Sequence, residues 1–231
     1  MSSEIKTNTI SESSSGSGVT IDGVKLKDSG IESSSGSRVL ASDSGSAWSW
    51  GANVPKGSVI EQFASPCDGS AITVQSGTYT IENVTAVQQM TEVVTAVTGS
   101  TIDYTPPSGT QTVVYAFHFM KGRTDNNGLL HGRMMLDNDS GTLTLVTNSK
   151  STWFANTDQE IRVSMRWAFH IGGSNNDDTG RRATWDSART ISFHAKEYGS
   201  SNQAKVHETN HFDGTGDNVF SQPVIEIIAL A

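Results

Sequence analysis

The sequence predicts an all-β protein, an antiparallel β-sandwich or jelly-roll head preceded by an extended Ser/Gly-rich N-terminal arm. Three observations carry this. From Glu160 to Ile171, apolar Ile161, Val163, Met165, Trp167, Phe169 and Ile171 alternate without a break with Arg162, Ser164, Arg166, Ala168 and His170. That two-residue period belongs to a strand, in which successive Cβ atoms point to opposite faces. Shorter runs of the same kind, roughly ten in all, recur from about Gly57 onwards and are separated by Gly, Asn, Asp and Ser turn signals,. Before them, residues 1 to about 55 are dominated by Ser and Gly.

The domain boundaries that follow are 1–56 for the arm and 57–231 for the head. Within the arm, Glu12–Gly18 recurs as Glu32–Arg38, and each copy is followed by a short apolar-alternating run, Val19–Leu26 and Val39–Ala41. Such a segment reads either as a flexible spacer or as short strands that become ordered against a partner. Val19, Ile21, Val24 and Leu26 favour order, since a pure spacer has no use for them. Trp48 and Trp50 read as anchors that dock the arm, with stacking on sugar as the alternative,.

In the head, Ala71–Val74 and Thr78–Val84 flank Gln75-Ser76-Gly77 as a hairpin,. Ala86–Ala96 has a helix-compatible spacing, but its Val and Thr content favours a strand. Thr112–Met120 puts Val113, Tyr115, Phe117 and Phe119 on one face. Leu129–Leu136 and Leu143–Thr147 are strands joined through Asp137–Gly141, and Gly172–Gly180 is a polar loop. Thr190–Glu197 and Pro223–Leu230 complete the set. In the long run, Val163, Met165, Trp167 and Phe169 form the inner, core face. The C-terminus, apolar from Val224 to Ala231, is an aggregation hazard as a lone strand, so it belongs inside a sheet or between subunits.

Composition excludes several function classes. With 16 Lys and Arg against 24 Asp and Glu, the net charge is −8, and no basic cluster exceeds a pair. Nucleic-acid binding is not expected of such a chain. No apolar run approaches bilayer-crossing length, so membrane insertion is not expected either. A single cysteine, Cys67, rules out an intrachain disulfide,. The polar N-terminus lacks the pattern of a secretory signal, and folding in a reducing cytoplasm is the expectation.

The sharpest motif is His207-Glu208-Thr209-Asn210-His211, which matches the H-E-x-x-H zinc-protease pattern,. That chemistry needs a helix, on which the two histidines lie one turn apart. In a strand, residues four apart lie about 13 Å from each other. Asn210 within the motif, Asp213–Gly216 after it and β-like flanks make the match a coincidence. Asp137–Gly141 and Asn175–Asp178 resemble calcium loops, but neither continues to the closing Glu, and polar β-turns explain both. No metal, no cofactor and no catalytic residue is expected.

Several stretches resemble known virion proteins. Lys6–Glu12, Ser17–Val24 and Lys27-Asp28 resemble a segment that opens many virion proteins of marine tailed bacteriophages. Cys67–Gly69, Ser76–Thr80, Thr105–Gly109, Val113–Tyr115, Ala195–Asn202 and Phe212–Gly214 resemble a C-terminal module of phage fibre and other appendage proteins. In those relatives the stretch around His207 keeps one His and commonly lacks the second. The resemblance implies a β-rich, non-enzymatic, usually trimeric module, with a tumour-necrosis-factor-like trimer among the arrangements it allows. It implies a virion location after assembly in the host cytoplasm, with the arm contacting other virion proteins. Thr9, Ile10, Val19, Ile21, Val24 and Leu26 are the candidate anchoring residues. The head would project towards a host-surface glycan or protein. The alternative is a capsid or tail decoration protein that binds no receptor.

Overall fold

The computed structural model describes residues 19–21, 24–27, 30–33, 38–43, 47–50, 55–122, 128–155, 160–199, 204–211 and 217–231. The chain divides between Ser58 and Val59 into two compact units. In the first, β1 (Val19–Ile21), β2 (Val24–Lys27), β3 (Gly30–Ser33), β4 (Arg38–Asp43) and β5 (Ala47–Trp50) form an antiparallel sheet in chain order. Short strands with short connections reach only their chain neighbours, and a meander results. Val19 is the register partner of Leu26, and Ile21 that of Val24. Leu26 is 47% exposed. Thr9 and Ile10 lie outside the described residues. Trp48 and Trp50 fall in β5, in register with Ser42 and Leu40.

The second unit is an antiparallel β-sandwich of jelly-roll-like kind. It begins with β6 (Val59–Pro66), the hairpin β7 (Ala71–Val74) and β8 (Gly77–Thr80), and three short strands, β9 (Gln88–Gln89), β10 (Thr95–Ala96) and β11 (Ile102–Tyr104). Then come the long strands β12 (Thr112–Lys121) and β13 (Gly128–Asp137), followed by β14 (Leu143–Leu145), a 3-10 turn at Thr147–Ser149 and β15 (Ser151–Ala155). The chain continues through β16 (Ile161–His170), β17 (Arg189–Glu197), β18 (Lys205–Val206), β19 (Glu208–His211), β20 (Asp217–Phe220) and β21 (Val224–Leu230). Ala86–Ala96 is not helical and contributes only the two-residue strands β9 and β10.

Two sheets face each other. In one, β12 is central, with β21 and then β6 on one side and β16 on the other. In the second, β13 and β17 are central. There β10 and β11 share the free side of β17, and β14 and β15 share the free side of β13. The apolar C-terminal strand is thus enclosed between β6 and β12, which disposes of its two backbone edges.

The core lies between the sheets. Val113, Tyr115, Phe117 and Phe119 of β12 are all buried, as are Leu130, Met134 and Leu136 of β13 and Ile225 and Ile227 of β21. Phe193 of β17 joins the layers. Its ring centroid is 6.4 Å from Phe117, 5.7 Å from Phe119 and 5.7 Å from Trp153. A Cβ at Gly132 would come within 2.3 Å of the Phe193 ring, so this position of β13 has room only for hydrogen. Several polar groups between the sheets are paired, as burial favours. The Tyr115 hydroxyl donates to the Ser100 carbonyl (2.6 Å), and Ser100 Oγ donates to the Phe193 carbonyl (2.9 Å).

On β16, Val163, Met165 and Phe169 are buried and the alternate residues are exposed. Trp167 departs from its assigned core role, being only partly buried. The reason is position. Among the described residues β16 pairs only with β12, so a large ring on this edge strand is covered on one flank. Its indole N–H donates to the Thr179 carbonyl at 3.0 Å, which holds the Gly172–Gly180 loop against the edge.

Cys67 follows β6 and is fully buried. Its Sγ donates to the Gly99 carbonyl at 3.3 Å. Gly99 has φ +82°, and a Cβ there would meet Val84 at 2.7 Å and Cys67 at 3.0 Å. Burial, reinforced by the negative charges of Glu82 and Asp68, pushes the thiol up to about 12.

Candidate functional site

The His207–His211 segment is a bend followed by a strand. His207 occupies the single-residue break between β18 and β19 at φ 65°, the one non-glycine residue in the left-handed region among the described residues. Glu208–His211 then pairs with β20. His207 is buried while His211 is exposed, so the left-handed bend at His207 and the extended chain after it leave the two rings in different environments. Rings of Phe117 and Phe119 stand edge-on to His207 at 6.3 and 6.0 Å. Its Nε2–H donates to the Thr98 carbonyl at 3.0 Å, and Nδ1 has no partner. Burial pushes its titration down to about 4, against the smaller opposing effect of the Thr98 bond. His207 is therefore a neutral core residue.

Glu208 is buried against Gly122, where a Cβ would lie 2.6 Å from the Glu208 side chain. One of its oxygens meets Lys205 Nζ at 3.4 Å, and Oε1 has no partner. Lys121, at the end of β12, is fully buried with its Nζ unpartnered, and burial holds its pKa below the usual lysine range. Among the described residues no group of three or more His, Cys, Asp and Glu is disposed to hold a metal ion.

The Asp/Asn loops are tied to arginines. Arg182, 1% exposed, donates from Nε to the Asp137 carbonyl (3.0 Å) and from Nη2 to Thr144 Oγ1 (3.2 Å). Its Nη1 is 2.9 Å from Asp177 Oδ1. Arg189 Nη2 is 2.6 Å from Asp139 Oδ1 and also donates to the Thr184 carbonyl. Asp139 further accepts from Asn175 Nδ2. The Arg189 hydrogen bond, then that of Asn175, holds the Asp139 carboxyl below the usual range. These carboxylates have protein cations as partners and close the loops onto the ends of β13 and β17. Neither arginine carries a periodic mark of burial in the sequence, since Arg182 lies in a loop and Arg189 opens β17.

The surface that stands out is the outer face of the β12 sheet. Register places Ile228, Val114 and Ala168 in one cross-strand row, and Glu226, Ala116 and Arg166 in the next. Ala64 of β6 extends the second row beside Glu226. The centre is small and apolar, with Ala168 exposed, Ile228 half-buried and Val114 and Ala116 buried beneath their neighbours, and its rim is charged. Glu226 accepts from Gln62 Nε2 (3.1 Å) and lies 3.7 Å from His118 Nε2. A hollow of about 440 Å³ is lined by Val114, Arg166, Trp167 and Ala168. A solvated antiparallel face would instead alternate to polar residues. The sequence showed the β16 half of this surface; the β12 and β21 halves emerge only from register.

No family model and no curated protein matches this sequence. Among solved structures the chain is similar to two of infectious bursal disease virus. The Gx strain structure aligns with TM-score 0.35 and 7% identity, over 82% of this chain and 41% of that chain. The Gt strain structure aligns with TM-score 0.29 and 10% identity, over 84% and 47%. The chain spans less than half the length of either. Among the described residues no helix is long and apolar enough to cross a membrane.

Proposed function

We propose that this chain is a non-enzymatic structural protein of a virion, a homotrimeric appendage subunit. Its β-sandwich associates with copies of itself through the outer face of the β12 sheet, and its first unit contacts other virion proteins. The observation that carries self-association is the apolar character of that face: exposed Ala168 and half-buried Ile228 and Trp167 surround Val114 and Ala116, which are already covered within the chain. An apolar hollow of this kind, rimmed by Arg166 and Glu226, has the make-up of a protein interface. The number three comes from the resemblance to phage appendage modules, as do the virion location and the anchoring role of Val19, Ile21, Val24 and Leu26.

Light scattering of the purified chain tests the assembly. The expected mass is three times that of the 24.6 kDa chain. Ala168→Glu, which places a charge at the centre of the face, should give a folded monomer. A parent protein that stays monomeric and dispersed at micromolar concentration sinks the proposal. Deleting residues 1–56 should leave a folded sandwich that no longer joins particles; normal incorporation of the truncated chain would remove the anchoring role.

A further inference from the structure

The outer face of the β13 sheet has a different character. On β13, His131 and Arg133 point away from the core, and register places Lys196 and His194 of β17 directly beside them. On the other side His131 is paired with Thr152 of β15. Lys150 closes the group at the start of that strand. His131, Arg133, Lys150, Thr152, Lys196 and Tyr198 line a concavity of about 540 Å³, within the roughly 300–1,000 Å³ range of small-ligand sites.

Three features give this concavity a chemistry. First, Arg133, Lys150 and Lys196 form no ion pair among the described residues, and Arg133 Nε has no hydrogen-bond partner. The neighbouring acid Glu197 is turned to the buried side, where its carboxylate accepts from the Ala204 N–H (3.2 Å). His194 is held below the usual histidine range by burial and then by the Arg133 charge. Second, the site offers further polar groups beside the cations: His131 Nδ1 and Thr152 Oγ1 are 2.9 Å apart. Third, the Tyr198 ring is 65% exposed and lies 6.1 Å from the His131 ring, a platform of the kind that stacks on the C–H face of a sugar. Unpaired cations from two strands and from the residue just before a third, hydroxyl-type partners and one open aromatic ring match a carboxylated sugar.

We propose that this concavity binds an acidic residue of a polysaccharide, with Arg133, Lys150 and Lys196 facing the carboxylate and Tyr198 under the ring. Nucleic acid fits less well. Its repeating phosphates call for an extended basic track, and this patch is confined to one concavity on a chain of net charge −8. The site goes beyond the assembly role proposed above. It uses the opposite sheet, and its binding is measurable whether or not the protein forms trimers.

The test is titration of the full-length protein with tetragalacturonate, followed by calorimetry or NMR, with maltotetraose and a short oligodeoxythymidylate as controls. Binding of tetragalacturonate is expected, weakening as salt rises, with none to maltotetraose. Arg133→Gln and Lys196→Gln should each weaken it about tenfold, as loss of one charge-assisted hydrogen bond predicts. Lys150→Glu, an exposed substitution that leaves the core untouched, should do the same. Arg162→Gln, on the other sheet, should leave binding unchanged. Tyr198→Ala should weaken the saccharide at unchanged thermal stability. Absence of binding overturns the proposal. So does equal affinity for the oligodeoxythymidylate, or equal loss in Arg162→Gln, since either would mark general attraction to polyanions.

Discussion

On their inner faces the β12 and β13 sheets are built alike. Each presents buried aromatic and aliphatic side chains at every second position, and Phe193 bridges them. On their outer faces they diverge. The β12 sheet carries Val114, Ala116, Ala168 and Ile228 at its centre, whereas the β13 sheet carries His131, Arg133, His194 and Lys196. The inner faces must satisfy one another and are held to apolar chemistry by the cost of burying anything else. The outer faces differ in chemistry, small and apolar at the centre of one and cationic on the other, and the proposed self-association and anion binding rest on that difference.

The largest effect should come from the shared inner face. Phe193→Ala should lower stability by about 3–5 kcal/mol, through lost transfer energy and a residual cavity. Lys196→Ala, three residues on and facing outwards, should change it by less than about 0.5 kcal/mol. Urea denaturation of both variants measures the contrast; equal losses would mean that the layers are not joined through Phe193.

A pH titration of stability probes the same core from the His207 side. Its folded pKa, about 4, lies below the unfolded value of 6.5. Between these values the unfolded chain takes up a proton that the folded one refuses, so stability falls as pH drops through 6.5 and the loss is complete below 4. The full loss is on the order of 3 kcal/mol. His207→Asn, which tolerates the left-handed backbone, should flatten that part of the profile. An unchanged slope would remove His207 as its source.

Next comes Gly132→Ala, whose added methyl collides with Phe193 and Trp153. Overpacking of this kind costs about 1–3 kcal/mol, and Gly141→Ala, with open space at its Cβ, separates the collision from backbone strain, since Gly141 alone of the two has a positive φ. A neutral Gly132→Ala would mean that the two sheets are less tightly layered at this point.

The smallest effect refines the edge of the β12 sheet. Phe169 is fully buried, with Trp185 edge-on at 6.1 Å, and Trp167 is not. Phe169→Ala should therefore destabilise by more than Trp167→Ala, by about 1–2 kcal/mol. Thermal unfolding of the two variants decides; a larger loss for Trp167→Ala would restore it to the core.

The sandwich was legible in the sequence because alternation survives wherever one face is buried. Thr112–Met120 and Ile161–Ile171 can be read that way with their inner faces, whereas Thr190–Glu197 and the predominantly apolar Pro223–Leu230 read as strands with no face assigned. Trp167 shows the limit: period two assigns a face but not how far from the sheet edge a residue stands. The outer-face groupings were illegible for a related reason. His131, Thr152 and Lys196 come from separate strands, and only cross-strand register makes them neighbours. Arg182 was hidden because its burial depends on carbonyls and hydroxyls from distant segments converging on one guanidinium.

The sealed position of Cys67 gives the molecule a built-in clock for its own opening. A thiol with a pKa near 12 presents almost no thiolate at neutral pH, and thiolate is the species that alkylating agents attack. Modification must await an excursion that parts Cys67 from Gly99, so the labelling rate of the intact protein reads the population of that open form. With no second cysteine in the sequence, every labelled molecule reports the same event.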